Sequence, residues 1–201
     1  MPLKLSSPIS IARGILNDTD AGGYRYSDAD LLQYANDALD VMVGIVPQLF
    51  YQDIEYTCTA NQAEQALSFG TYRALVDVLR IKGGGAVTRG DRTTLDDFKP
   101  GWRLDASGPA QDWMKVDDDP IRFLIQPPAP NGQILICKVV PVPAEYLATD
   151  DTGLPNDCAD MIADYIVARA ESRDAEHVIS QRAQMFGQSF ISKLAPNNQG
   201  G

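Results

Sequence analysis

The chain has 201 residues, enough for one domain or for one core with a smaller inserted domain. Its composition, 44% hydrophobic and 22% charged, is typical of a folded domain and argues against disorder. The net charge of −10 argues against a protein that reads DNA or RNA sequence, because such proteins gain most of their affinity from Lys and Arg on phosphates. The single histidine, His177, excludes a His-rich metal site.

Two helices are predicted near the N-terminus. The first covers about residues 9–16, with Pro8 at a favoured first-turn position, and ends in the polar turn 17–23. The second begins at Ser27, which forms a capping-box-like start with Asp30, and it is closed by Pro47. Between these limits apolar residues recur at helical spacing: Leu31, Leu32, Ala35, Ala38, Leu39, Met42, Ile45 and Val46.

From Tyr51 onward the hydrophobic period changes from about 3.6 to about 2, which favours strands. We predict strands at residues 54–58, 76–82, 113–116, 121–125 and 133–140, and a short helical turn at 94–98. Turn signals lie between the strands at residues 83–85, 117–120 and 127–132. The middle of the chain is therefore predicted to be a small antiparallel β domain.

The C-terminal third returns to helical spacing, with Asn156 as a candidate cap. An apolar stripe runs through Met161, Tyr165, Ala168, Ala175, Ile179, Phe186 and Phe190. A continuous helix over 157–192 would be about 50 Å long at about 1.5 Å per residue. One small core cannot cover such a helix, so we expect its far end to meet another subunit or a partner.

These elements predict an α+β fold. Residues 1–50 and 144–195 form one discontinuous helical bundle, residues 51–143 form a β-rich insert, and residues 196–201 form a flexible tail. The first residues lack an apolar leader and no run of about 18 apolar residues occurs, so we expect a chain made in a cytoplasm that does not span a membrane.

The motifs that could carry chemistry favour structural interpretations. The run Asp117–Asp119 before a proline is more typical of a solvated turn than of a metal site. The segment from Asp18 resembles the start of a calcium loop, but Ala29 stands where a bidentate Glu is required. The glycines at 83–85 lack the Lys and Ser/Thr of a phosphate loop. The three cysteines, far apart in sequence, predict buried thiols: Cys58, Cys137 and Cys158.

Several segments together resemble the head-to-tail adaptor, or connector, proteins of tailed bacteriophages, especially short-tailed ones. They are residues 11–13 with 16–18, residues 20–28, residues 31–32 with 36–37, residues 95–98 with Pro100 and Trp102, residues 127–128, and residues 164–165 with Ala170, Ser172 and 174–176. The resemblance covers nearly the whole chain and rests on the shared order of motifs that are individually weak.

The resemblance implies a structural, non-enzymatic protein that forms a ring, usually of twelve subunits, in the virion neck after assembly in the host cytoplasm. Its partners would be the portal protein and a tail tube or nozzle protein. The ring would let the genomic DNA pass without sequence-specific binding, and an acidic lumen suits such a conduit because it repels the duplex. No cofactor or metal is implied.

Two alternatives remain at this stage. One is a different neck or tail structural protein, such as a completion or tube-terminating protein. The other is a glycosidase with a pair of carboxylates, in which Trp102 and Trp113 would stack on sugars; packing in the core or an interface is the simpler interpretation of both tryptophans.

The end of the C-terminal helix is the candidate portal-docking site. Phe186, Phe190, Ile191 and Leu194 are spaced so that they share one apolar face of a helix. A permanently exposed patch of this kind would promote aggregation, so we expect the portal to cover it. The alternative is that these side chains close the core of their own domain.

Overall fold

The computed structural model describes residues 2–173 and 181–195. In chain order, its helices and strands are β1 (Pro2–Lys4), α1 (Ser6–Leu16), α2 (Asp28–Ile45), β2 (Gln52–Thr57), β3 (Glu64–Ala66), β4 (Tyr72–Ile81), β5 (Thr88–Arg89), α3 (Arg92–Phe98), β6 (Asp112–Val116), β7 (Asp119–Gln126), β8 (Ile134–Pro141), β9 (Asp151–Pro155), α4 (Ala159–Arg173) and α5 (Gln181–Leu194). Short 3-10 turns cover Pro47–Phe50, Trp102–Leu104 and Asn156–Cys158.

The α+β class is confirmed by these elements. The chain divides into two compact units, a helical unit of residues 1–49 and 143–201 and a β unit of residues 50–142. These boundaries lie next to the predicted insert of 51–143. Folding of the β unit on its own stays a prediction.

Helix α2 begins and ends at the signals seen in the sequence, whereas α1 begins at Ser6, before the predicted start near residue 9. The Ser27 side chain accepts a hydrogen bond from the Asp30 backbone N–H at 3.0 Å and caps α2. Asn17 ends α1 in the left-handed region, with φ 54°. The buried face of α2 contains five of the predicted residues, Leu31, Ala35, Ala38, Leu39 and Met42. It also includes Val43, whereas the predicted Ile45 is 45% exposed.

The C-terminal section differs from the expected single helix over 157–192. Helix α4 ends at Arg173 and α5 begins at Gln181. The two helices pack antiparallel, because Tyr165 of α4 contacts Phe190 while Glu171, farther along α4, pairs with Arg182. Helix α4 also packs against α1 and α2 and lies at the centre of the helical unit. His177 and the apolar residues Ala175 and Ile179 lie outside the described residues.

Two sheets form the β unit. One has the strand order β2-β8-β4 and the other β3-β7-β6-β5. All pairs are antiparallel, as predicted, except the two-residue pairing of β5 with β6, which is parallel. A third, two-stranded sheet, β1 with β9, belongs to the helical unit and was not predicted.

Alternation along β7 builds two cores on the two faces of one sheet. Phe123 and Ile125 point into the main core, which the other sheet also lines through Leu135, Cys137 and Val139. Leu124 points to the opposite face, where a smaller core forms with Trp102 and other side chains: Ala63, Met114, Leu95 and Val116. The segment containing α3 and Trp102 is therefore a layer over the outer face of this sheet.

The predicted turns occur where the sequence placed them. Val116 pairs with Asp119, so Asp117 and Asp118 are the two turn residues between β6 and β7. Gly83 follows β4 with φ 73°, a conformation that glycine adopts at no steric cost. The interpretation of both motifs as turns is confirmed.

Candidate functional site

Helix α5 is fixed to α4 by apolar packing and by one buried carboxylate. The rings of Phe190 and Tyr165 lie with their centroids 5.0 Å apart. The carboxylate of Asp164, 5% exposed, accepts hydrogen bonds from Ser189 Oγ and Lys193 Nζ, each at 2.6 Å. Such charge-assisted bonds inside a protein are stronger than neutral ones and fix the position of the helix.

The four predicted docking residues do not form one exposed patch. Phe190 and Leu194 are 2% and 3% exposed and lie in the core of the helical unit. Phe186 is half-buried, with the Arg182 guanidinium 5.9 Å from its ring centroid. Ile191, 51% exposed, lies on the outer face of α5. A role of these residues in docking stays a prediction, and its exposed part is centred on Ile191.

The outer face of α5 has a mixed, mostly uncharged character. A shallow depression there is lined by Gln184, Gly187, Gln188, Ile191 and Ser192. These positions follow helical spacing and so share one side of the helix. The surface offers amide groups around one aliphatic side chain, and a protein partner is a suitable occupant for such a surface.

The N-terminal segments that resemble the phage adaptors form a network around one buried guanidinium. Arg13, 7% exposed, donates from Nη1 to Asp18 Oδ2 and from Nη2 to Asp28 Oδ1, both at 2.6 Å. Its guanidinium also lies over the Tyr24 ring, 3.7 Å from the centroid. One side chain of α1 thus holds the connection to α2.

Asp18 closes this network from the other side. Its carboxylate is 6% exposed and accepts hydrogen bonds from the backbone N–H groups of Arg25 at 2.7 Å and Tyr26 at 3.3 Å. These contacts use the carboxylate oxygens that a calcium loop would need for the metal. The rejection of a calcium site agrees with this geometry.

The segment from Asp91 to Asp105 in the β unit is ordered by its own carboxylates. Asp91 caps α3 through the backbone N–H groups of Thr93 and Thr94, both at 3.2 Å. Asp96 Oδ1 accepts from Trp102 Nε1 at 2.8 Å and Arg103 Nη1 at 2.7 Å. The same segment therefore carries a cap at its start and a second set of bonds at its centre.

Hydrogen bonds lower the pKa of each of these carboxyl groups. The Thr94 hydroxyl and backbone N–H act on Asp91, the Arg103 and Trp102 side chains on Asp96, and the Lys99 ammonium on Asp105. A glycosidase needs a carboxyl group with a raised pKa to act as general acid. The lowered pKa values of Asp91, Asp96 and Asp105 keep these carboxyl groups charged, which suits groups that anchor a segment.

Three large apolar side chains of the β unit point into solvent. Phe98 and Leu104 are 87% and 91% exposed and lie in the segment just described, while Phe69, before β4, is 93% exposed. Their exposure was not predicted from the sequence, in which Phe98 counted only as part of segment 95–98 that resembles the adaptors. Their apolar character was visible, but burial depends on long-range pairing that periodicity does not report.

Nothing among residues 2–173 and 181–195 brings three or more His, Cys, Asp or Glu side chains together as a metal site. Trp102 and Trp113, the candidate sugar-stacking residues, are both fully buried. In the same described part of the chain, no helix is both long and apolar enough to cross a bilayer.

A comparison with protein-family models matches residues 9–199 to the SU10 adaptor protein. The chain belongs to this adaptor family. The resemblance to the head-to-tail adaptors is confirmed, and the chain has the structural role of an adaptor protein. The family match includes both the helical and the β unit.

Among solved structures, one similar chain comes from a structure described as "Neck of empty GTA particle computed with C6 symmetry". The two chains are 14% identical, with a TM-score of 0.31, and the match covers 89% of this chain and 88% of that one. None of the curated proteins compared matches the sequence.

Proposed function

We propose that this protein is a non-enzymatic, ring-forming head-to-tail adaptor that joins the portal to the tail. The observation that carries the proposal is the family match over residues 9–199, which extends through both units. The ring would follow the twelvefold symmetry usual for adaptors of this type. It would assemble in the host cytoplasm and remain in the virion neck.

The charge of the protein supports a passive role toward DNA. With 17 basic and 27 acidic residues, each subunit adds a net −10 to the ring. Duplex DNA is itself densely negative, so an acidic lumen repels it and keeps it from binding to the wall. The genome would pass through the ring without sequence-specific contacts.

We propose that α5 docks on the portal. Ile191 and the amide-bearing face around it make the contact. Phe186 lies beside Arg182, about 140° around the helix from Ile191, and is outside this contact. Phe190 and Leu194 contribute by anchoring α5 in the helical unit rather than by touching the portal. A docking helix with a fixed position loses less conformational entropy on binding than a mobile one.

The docking experiment compares two charge substitutions on exposed positions of α5. Ile191→Glu places a charge in the proposed contact, whereas Met185→Glu places one at a residue that is 58% exposed, about 120° around the helix from Ile191 and outside the lining of the depression. We expect the first variant to bind its portal at least about tenfold more weakly, the loss typical of one interface anchor. Binding is measured by co-sedimentation of the full chain with purified portal.

Two results would contradict the proposal. If Ile191→Glu binds portal with unchanged affinity, the docking assignment is wrong. If particles that lack this protein still keep both genome and tail, the adaptor role is wrong. Electron microscopy of the protein mixed with its portal tests the ring itself.

A further inference from the structure

The exposed side chains Phe98 and Leu104, together called the knob, are held in place by bonds around them. Lys99 follows Phe98 and Asp105 follows Leu104, and the Lys99 Nζ and Asp105 Oδ2 atoms are 2.5 Å apart. Asp96 binds both Trp102 and Arg103 within the same segment. These bonds fix the conformation of the backbone that carries the knob, although its two apolar side chains are in water.

A second apolar feature, called the groove, lies elsewhere on the β unit. It is an open concavity of about 390 Å³ lined by Phe69, Tyr72, Pro120, Ile121 and Val142, with Arg73 and Asp119 also in the lining. Phe69, 93% exposed, leaves this apolar surface open to solvent. Its size suits one or two large side chains.

Knob and groove belong to different faces of the β unit. The knob segment covers the outer face of the β3-β7-β6-β5 sheet, where Trp102 packs on Met114 and Leu124. The groove residues Tyr72 and Ile121 pack against the main core on the opposite face of that sheet. One chain thus carries two different apolar features on two sides, the arrangement that a head-to-tail interface in a closed ring requires.

The local charge favours a second copy of this chain as the occupant. Copies with a net charge of −10 repel one another, so their contact should lie where charges balance. The groove lining contains one arginine and one aspartate. Residues 91–105 contain three basic and four acidic side chains: Arg92, Lys99, Arg103, Asp91, Asp96, Asp97 and Asp105. The groove lining is therefore neutral, and the knob segment carries a net charge of only −1 on a strongly acidic protein.

We propose that the knob of each subunit inserts into the groove of the next subunit. This inference rests on the proposed ring and adds the surfaces that close it. The apolar side chains bury each other, and the ion pairs around the knob remain at the rim, where charged residues usually lie in interfaces.

The test uses cysteine cross-linking in necks isolated from particles that carry the variant chain. The double variant Leu104→Cys/Val142→Cys puts one thiol on the knob and one in the groove. The native thiols Cys58, Cys137 and Cys158 are buried and do not compete. The matched control is Leu104→Cys/Leu147→Cys, since Leu147 is 64% exposed but belongs to the helical unit.

A short bis-maleimide should convert the 104/142 variant into a ladder of covalent multimers. It should leave the control and the single Leu104→Cys variant as monomers. Rings seen by electron microscopy without this ladder would overturn the knob-and-groove contact and leave the adaptor role intact, as would cross-linking of the single variant to itself. Necks without any ring would refute the proposed function and this inference with it.

A charge substitution tests the same contact without cross-linking. Leu104→Asp should abolish ring assembly, whereas Leu147→Asp, also at an exposed leucine, should assemble as the unchanged chain does. Both variants should keep the circular-dichroism spectrum and melting temperature of the unchanged chain, because both positions are on the surface. Normal rings from Leu104→Asp would overturn the inference.

Discussion

Replacing Asp18 by alanine removes the buried partner of Arg13. The substitution deletes the 2.6 Å ion pair and also the acceptor for the backbone N–H groups of Arg25 and Tyr26. Arg13 keeps Asp28, which is also 2.6 Å away but whose side chain is 82% exposed. Its guanidinium would then have one solvated carboxylate instead of a buried one.

The structure sets the size of the expected loss. Removing one partner from a buried ion pair costs about 3–5 kcal/mol, because the remaining charge stays buried. The surviving contact with Asp28 places Asp18→Ala at the lower end, at about 3 kcal/mol of the free energy of unfolding. The matched control Asp28→Ala removes an exposed partner at the same distance from Arg13 and should cost at most about 1 kcal/mol.

Hydrogen exchange during urea titration measures this loss in the helical unit separately from the β unit. Amides of α1 and of residues 25 and 26 should exchange at lower urea in Asp18→Ala, while amides of the β8 strand stay unchanged. Equal losses from Asp18→Ala and Asp28→Ala would refute the reasoning, since burial then would not decide the value of the pair. A loss below about 1 kcal/mol for Asp18→Ala would do the same.

Three further predictions concern the packing and the titrating groups. Phe190→Ala should lower the free energy of unfolding of the helical unit by about 3–5 kcal/mol, as measured by hydrogen exchange in urea, because the ring is fully packed. Hydrogen bonds from Arg103 and Trp102 lower the pKa of Asp96 below its ordinary value of 3.8, so its anchoring of Trp102 should be fully present above pH 3.8 and lost only as the pH falls through the lowered pKa. Asp96→Asn should show no such change in tryptophan fluorescence. Burial raises the pKa of Cys58 to about 11 and of Cys137 to about 12, so iodoacetamide at neutral pH should label both by mass spectrometry only after unfolding.

Local signals were sufficient to predict much of the fold. The start of α2 was predicted because a serine cap and its partner three residues later are readable without tertiary information. Strand β8 was predicted because one face is buried and alternation reports this directly. Strand β7 was predicted from a short apolar run bounded by turn signals, which fits the burial of its side chains on both faces. Strands β1 and β9 were missed because their short pairing joins residues about 150 positions apart.

The helical hairpin shows why periodicity was misleading at the C-terminus. An apolar stripe has the same spacing on one long helix as on two helices that bury one face each. Neither proline nor glycine marks the interval between Arg173 and Gln181. The long-helix expectation therefore made Phe190 and Leu194 look exposed, although the return of α5 onto α4 buries them.

The anchoring of the knob is the strongest argument that it has a function. Ordering a residue costs about 1–2 kcal/mol of backbone entropy, and a surface ion pair such as Lys99–Asp105 stabilises the fold by at most about 1 kcal/mol. Phe98 and Leu104 add little to the free energy of folding of the subunit, since they remain largely in water. The buried ring of Trp102 already covers the small core, so covering this core does not require large apolar side chains at Phe98 and Leu104. The 3-10 turn Trp102–Leu104 and the Asp96 bonds hold the backbone there. What they leave without an explanation inside the subunit is the exposure of two large apolar side chains, which a partner surface such as the proposed groove would cover.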